Sequence, residues 1–209
     1  MIAIVDYNMG NLASVQNAFT KLGKETVIES DPSKFKEYDK LILPGVGAFP
    51  DAMEHLKDRN MVTALREYAA SGKYILGICL GMQLLFESSE EFGKHEGLGL
   101  IKGNVIPFDT NKFEVSSKNE LPLKVPHMGW NRMFTSQHPL FKDLDEEHYL
   151  YFVHTYHVNC TNKEDIIGRT NYGYEFTSAV SHGNIMGFQP HPEKSHKNGL
   201  HILENFISL

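Results

Sequence analysis

The sequence predicts an α/β fold: an open mixed, mainly parallel sheet flanked by helices, with an antiparallel extension. Three observations predict it. Short β-branched apolar runs alternate with helical patterns through the first half, the order that a parallel sheet with crossover helices requires. From Gly97 the rhythm changes to short strands broken by Gly, Pro and Asn, which suits mixed or antiparallel pairing. A chain of 209 residues with 41% hydrophobic content supplies one sizeable core and too little length for two ordinary domains, so residues 1–209 read as a single domain.

Taken in order, Ile2 to Val5 is the first strand. Asn11 to Leu22 is a helix stopped at Gly23, and Leu41 to Leu43 is a second strand. A long helical stretch follows, with Asp51 as its cap. Met61, Leu65, Tyr68 and Ala69 recur along it at helical spacing, and Gly72 closes it where a left-handed residue is needed. Tyr74 to Ile78 is the next strand. In the second half the strands are Leu98 to Ile106, Tyr149 to Val158, Ile166 to Thr170, Phe176 to Val180 and Ile185 to Phe188. Leu200, Leu203, Phe206 and Ile207 line one face of a terminal helix that should dock on the sheet. Thr110 to Asn119 is polar and short and reads as a mobile loop; no repeat or low-complexity segment is visible.

Composition narrows the function. Twenty Lys and Arg against 26 Asp and Glu leave a formal charge of −6, so no basic surplus exists to neutralise a nucleic-acid backbone. No apolar run approaches the roughly 18 residues needed to cross a bilayer, and Met1 opens a β-like segment rather than a secretory leader. A cytoplasmic location is expected, with no membrane partner. Two cysteines are too few for a disulfide framework, so each is expected as a free thiol.

The sharpest local signal is Ile75-Leu76-Gly77-Ile78-Cys79-Leu80-Gly81-Met82-Gln83, a buried-strand run entering a Gly-x-Cys-x-Gly turn and leaving as a helix that starts at Leu80. This is a nucleophile elbow with sulfur in place of a hydroxyl. The tight turn strains the central residue and brings neighbouring backbone close, hence Gly77 and Gly81 without side chains. Cys79 would stand at a helix N-terminus, where free N–H groups favour the thiolate. Taken alone, it could equally be a small core residue.

A thiolate nucleophile needs a proton manager, and 11 histidines compete for the post. His191-Pro192-Glu193 is the best candidate: it follows the strand Ile185 to Phe188 in a segment pinned by Pro190 and Pro192, and residues two apart in extended backbone share a side. Glu193 can then hold the His191 imidazole in one tautomer and stabilise its charged form. Donors for a developing oxyanion are the N–H of Leu80 and one from Pro44-Gly45-Val46-Gly47, which leaves Leu41 to Leu43 at the carboxyl edge of the sheet. That loop lacks the Gly-Lys-Ser/Thr of a phosphate cradle. His154, His157 and Cys160 tempt a zinc assignment, but in one continuous strand residues three apart face opposite ways, so no metal is expected. Tyr149, Tyr151, Phe152 and Tyr156 read as sheet packing. Asn11, Trp130 and Lys194 read as surface.

These residues resemble a known family. Gly77 to Gln83 with His191-Pro192-Glu193 is similar to the class I (triad) glutamine amidotransferases. Pro44-Gly45-Val46-Gly47-Ala48-Phe49, the Leu76 to Glu91 segment, Pro126-His127-Met128-Gly129-Trp130-Asn131, Tyr151-Phe152-Val153-His154-Thr155-Tyr156 and Pro192-Glu193-Lys194-Ser195 more narrowly resemble the HisH-type glutaminase subunits of imidazole glycerol phosphate synthase. The resemblance spans nearly the whole chain in the expected order.

The resemblance implies a class I amidotransferase fold and a triad of Cys79, His191 and Glu193 acting on L-glutamine, without a cofactor. It implies Val46 and Leu80 as the oxyanion site, and Gly45, Gly47, Gln83, Glu91, Thr155 and Tyr156 as glutamine contacts. It also implies a (β/α)8-barrel synthase partner of the HisF type, faced by Asn11, Trp130, Tyr151 and Lys194, so that three residues read as surface acquire a partner. Ammonia would pass to that barrel, which makes imidazole glycerol phosphate and an aminoimidazole carboxamide ribotide. The chain departs from the family at Pro190, where such chains usually carry Phe. Lys194-Ser195-His196-Lys197 also resembles paralogues that feed ammonia to amidination of surface sugars. A stand-alone thiol hydrolase and a non-catalytic binding subunit with a relict elbow are the readings outside the family.

Overall fold

In the computed structural model, which describes residues 1–113 and 123–209, β1 (Ile2–Val5) leads into α1 (Leu12–Lys21). The Asn11 side chain caps that helix by accepting from the Ser14 N–H at 3.2 Å, and Gly23, at φ +68°, takes the left-handed turn after it. Val15, Ala18 and Phe19 form its buried face. Next come β2 (Thr26–Glu29), absent from the sequence reading because two of its four side chains are exposed, and β3 (Lys40–Leu43).

The expected long helix is two helices, α2 (Phe49–Asp58) and α3 (Met61–Ala70). Asn60 sits between them at φ +57°, a left-handed conformation that Asn tolerates better than most residues and that helix backbone cannot contain. Asp51 is therefore not the cap: Ala48 holds the cap position and Asp51 lies within the first turn, where its charge suits the helix dipole. Gly72, at φ +80°, closes α3 as expected.

Next are β4 (Tyr74–Ile78), the short α4 (Leu80–Leu84), β5 (Phe86–Ser89), β6 (His95–Glu96) and β7 (Ile101–Pro107). After them come β8 (His127–Arg132), β9 (Phe134–Thr135), β10 (Tyr149–His154) and β11 (Tyr156–Cys160). The chain ends with β12 (Ile166–Tyr172), β13 (Tyr174–His182), β14 (Ile185–Phe188) and α5 (His196–Ser208). Thr110–Lys112 makes a short 3-10 turn capped by Asp109; the rest of the expected mobile loop falls largely on residues 114–122, outside the described residues. Docking of α5 uses Gly199, Ile202, Leu203 and Phe206, whereas Leu200 and Ile207 are only half-buried.

The predicted strand Tyr149 to Val158 is broken at Thr155, and its halves join different sheets. Among the described residues a twelve-stranded sheet runs β2-β1-β3-β4-β14-β13-β11-β7-β5-β6, with β12 on β13 and β9 on β12; β10 pairs instead with β8 in a two-stranded antiparallel sheet. The first five strands of that order are mutually parallel, and pairing turns antiparallel at β13. Apolar side chains on the two faces of the sheet pack separately, one set with α2 and α3 (Leu41, Leu56, Leu65, Ile75), the other with α1 and α5 (Ile42, Phe19, Leu76, Phe206).

Register positions the site. Leu43 of β3 lies opposite Gly77 of β4, and Phe188 of β14 lies opposite Ile78. Three parallel strands therefore end together, and the Pro44–Gly47 loop, the Cys79 turn and the segment Gln189 to Lys194 leave the same carboxyl edge side by side, the edge where open α/β sheets place their ligands.

Candidate active site

Cys79 stands between β4 and α4 at φ +55°, ψ −113°, a conformation an L-residue adopts only when its surroundings enforce it. Its N–H donates to Phe188 O at 2.7 Å, and its carbonyl accepts from the Met82 and Gln83 N–H groups. A Cβ on Gly77 would lie 2.7 Å from Gly81 O, and one on Gly81 would run into the Leu43 carbonyl, so both glycines are sterically required. The Leu80 N–H, first in α4, has no intrahelical acceptor to reach.

His191 lies beside Cys79 on the wall of one cavity, close enough for the sulfur to act on its ring, and its Nδ1–H donates to Glu193 Oε1 at 2.7 Å. Both side chains are almost wholly buried. Burial alone would push the imidazole down; the hydrogen bonds and charges of Cys79 and Glu193 outweigh it and raise His191 to about 10. The ring is therefore an imidazolium at neutral pH, placed against sulfur. Its backbone is clamped as well: His191 N–H donates to Tyr151 O at 2.8 Å, and Ser195 Oγ donates to His191 O and accepts from Tyr151 N–H. Pro190 is buried between Gln189 N–H, which donates to Ser178 O, and that clamp, so its missing N–H falls where the chain already turns.

A cavity of about 370 Å³ opens over these groups, lined by Val46, Gly47, Cys79, Leu80, Gln83, Glu91, Thr155, Tyr156, His191 and Lys194. Of the expected glutamine contacts, only Gly45 is not on its wall: it is buried, and a Cβ there would meet Gly81 N and Tyr7 Oη at 2.7 Å. Its role in the structure is close packing beneath the loop. Glu91 accepts from Phe49 N–H at 2.8 Å through Oε2, and burial raises its carboxyl above the usual range, opposed by that hydrogen bond. Gln83 Nε2 donates both to Tyr156 O at 3.1 Å and to Gln189 Oε1 at 3.0 Å. With both N–H groups occupied, Gln83 has only its carbonyl oxygen to offer a ligand.

Of the four residues assigned to a partner, only Lys194 lines the cavity. Trp130 and Tyr151 are cross-strand neighbours on β8 and β10, with rings edge to face at 6.0 Å; Trp130 also stacks flat on His196 at 5.0 Å and remains 48% exposed. Lys194 is exposed at the cavity rim, and Asn11 is exposed at the start of α1, which packs on the turn carrying Lys194.

Sequence reasoning passed over two site residues. Gln189 Nε2 donates toward Cys79 Sγ at 3.7 Å, and Tyr7 Oη donates to Pro44 O at 2.7 Å, steadying the glycine loop. The available signal was position: each is a polar residue just past a buried parallel strand. The expectation that His154 and His157 face opposite ways is corrected, because the break at Thr155 lets both rings pack on Phe108, at 5.2 and 4.8 Å. Each has other partners: His154 bonds to His127 and to Tyr156 O, and His157 to Tyr174 Oη. Cys160 is half-buried, and burial raises its thiol to about 11, so it is not an activated thiolate.

Comparison with known proteins now adds to the geometry. The family described as "Glutamine amidotransferase class-I" matches residues 3–209. The "Imidazole glycerol phosphate synthase subunit HisH" of Sulfurimonas denitrificans is 77% identical over 206 residues, covering 99% of this chain and 97% of that protein. The protein of the same name from Wolinella succinogenes is 54% identical over 210 residues, covering both chains fully. Among solved structures, "Structure of PurLQS from Thermotoga maritima" superposes with a TM-score of 0.76 at 19% identity, covering 99% of this chain and 97% of that one, a likeness of fold.

Proposed function

The chain belongs to the class I glutamine amidotransferase family and, within it, to the HisH subunits of imidazole glycerol phosphate synthase, and from that premise we propose how its residues act. It is the glutaminase subunit of the synthase of histidine biosynthesis, hydrolysing L-glutamine to glutamate and ammonia. Cys79 sulfur attacks the side-chain amide carbon of glutamine. The C=O electron pair moves to oxygen, where N–H groups of Leu80 and the Val46 loop receive it. Collapse of that intermediate breaks the C–N bond, and the nitrogen leaves as ammonia with the proton from His191. Water, deprotonated by His191, then attacks the thioester; glutamate departs and sulfur and imidazole recover their starting charges. Glu193 accepts from Nδ1–H throughout, so that the other ring nitrogen carries the exchanging proton.

Gln83 oxygen, the Glu91 carboxylate, Gly47 and the Thr155–Tyr156 backbone are the glutamine contacts. Asn11, Trp130, Tyr151 and Lys194 meet a (β/α)8-barrel subunit of the HisF type in a cytoplasmic heterodimer, and ammonia crosses that face to the cyclisation that yields imidazole glycerol phosphate and aminoimidazole carboxamide ribotide. The names of relatives at 77% and 54% identity favour this acceptor over a surface sugar. One domain, residues 1–209, carries all of it.

The observation that carries the reading is His191 set between Cys79 sulfur and the Glu193 carboxylate. The test assays glutamate release and nucleotide cyclisation by the chain with and without its barrel partner. Glutamine turnover should rise strongly on adding the barrel and disappear in Cys79→Ser; turnover that survives this substitution rejects the mechanism. A glutamine-like electrophile should label Cys79 and spare Cys160.

A further inference from the structure

His154 lines the cavity and is bonded to a second histidine behind it, His127; the chemistry above uses neither. His127 and His154 are cross-strand partners at the end of the β8–β10 ribbon, with His127 Nδ1 2.9 Å from His154 Nε2. His127 lies flat between Phe152, at 4.7 Å and 22°, and Tyr172, at 4.0 Å and 24°. Both imidazoles are buried.

Their protons can be assigned by elimination. His154 Nδ1 lies 2.8 Å from Tyr156 O, a pure acceptor, so Nδ1 carries hydrogen. At the other end, Asn131 Nδ2 faces His127 Nε2 at 3.2 Å, and the same amide group donates to Asn171 O while Asn131 Oδ1 accepts from Arg132 N–H. The amide orientation is fixed by these bonds, so His127 Nε2 must be the bare acceptor. His127 Nδ1 then holds the hydrogen and donates to His154 Nε2. Each ring is neutral and in the Nδ1–H form, the minor tautomer of a free histidine side chain. Burial acts the same way, pushing His127 down to about 4 and His154 well below its ordinary value.

Tyr156 O also accepts from Gln83, Gln83 donates to Gln189, and Gln189 donates toward Cys79 sulfur. We propose that the His127–His154 pair is a positioning device for glutamine, holding the Thr155–Tyr156 break and the Gln83 carboxamide in binding geometry and tying the Trp130-bearing strand to the nucleophile. The pair touches no reacting atom. Its loss should weaken contacts made equally in the ground and transition states, so it should appear in KM and not in kcat. This role rests on the glutaminase reading above.

The experiment has two arms. In the first, nitrogen-15 NMR of the histidine-labelled chain reads tautomers directly, and His127 and His154 should both report Nδ1–H at neutral pH. In the second, glutamine kinetics of the two-subunit complex compare His127→Gln, which retains a donor and an acceptor, with His127→Phe, which retains only the stacked ring. An orphaned buried group costs enough that His127→Phe should raise KM by about tenfold with kcat changed less than about threefold, while His127→Gln stays near the unmutated KM. Either ring found Nε2–H or charged overturns the relay by itself. Equal KM values in the two variants overturn the positioning role. An unmutated complex that turns over no glutamine overturns the function and this role together, an outcome distinct from a wrong tautomer.

Discussion

His191 is held against a sulfur and a carboxylate inside the protein, and two measurable consequences follow at the scale of the single residue. Its folded value of about 10 lies above the ordinary 6.5, so in the interval between them the folded chain binds a proton that the unfolded chain has released. The stabilisation from this site is complete below about pH 6.5 and disappears as pH rises toward 10. Unfolding free energy measured across that range should fall with pH, and His191→Asn should flatten the slope. The second consequence concerns Glu193, whose Oε2 is buried with no hydrogen-bond partner among the described residues. Its charge therefore acts almost wholly through His191. Glu193→Gln should lower kcat by about 100-fold or more with little change in glutamine KM, the loss expected when general acid–base catalysis is disabled. Sequence made Cys79, His191 and Glu193 legible because the elbow and the His-Pro-Glu spacing are local patterns. Gln189, His127 and Tyr7 were not, because a buried polar group is defined by partners far away in the chain.

At the scale of the element, the turn after β4 depends on a backbone passage with no room for a methyl group. Gly81→Ala would press Cβ into the Leu43 carbonyl and should destabilise by about 3 kcal/mol or more, or prevent folding, read as a drop in Tm or in soluble yield. Gly23→Ala is the contrast: Gly23 sits at φ +68° in open surroundings, so only a conformational cost of about 1 kcal/mol applies and no clash adds to it. Elements with strong periodicity, such as Tyr74–Ile78 and Ile185–Phe188, agree with the sequence reading residue for residue. Failures came where tertiary demands override the local pattern. Asn60 breaks a continuous helical pattern because the chain must turn there, and Thr155 breaks an apolar run whose halves serve different sheets. Periodicity is the same on both sides of each break, so it could not mark either one.

At the scale of the whole molecule, Lys194 lines the cavity that contains the nucleophile, and the exposed Trp130 packs edge to face on Tyr151 and flat on His196, two residues beyond Lys194. An aromatic anchor of this kind is where binding energy concentrates. Trp130→Ala should raise the dissociation constant for the barrel subunit by about tenfold or more in calorimetric titration while leaving Tm near its unmutated value, and Lys194→Glu should add a salt-dependent loss. Among the described residues no helix is long and apolar enough to cross a membrane. The placement of strands explains why the site could be inferred and the topology could not. Chemistry clusters in short motifs, whereas the insertion of β14 between β4 and β13 is a choice among pairings that no single segment encodes.

That insertion has a consequence for the order in which the chain matures. Strand β4 leaves the ribosome more than a hundred residues before the strand that completes its second edge, and the imidazole follows later still. Throughout that interval a nascent polypeptide has a bare thiol, a half-built sheet and no base. Messages truncated anywhere before Ile185 should yield protease-sensitive, inert fragments, and ammonia release begins only after the segment carrying His191 and Glu193 has been made.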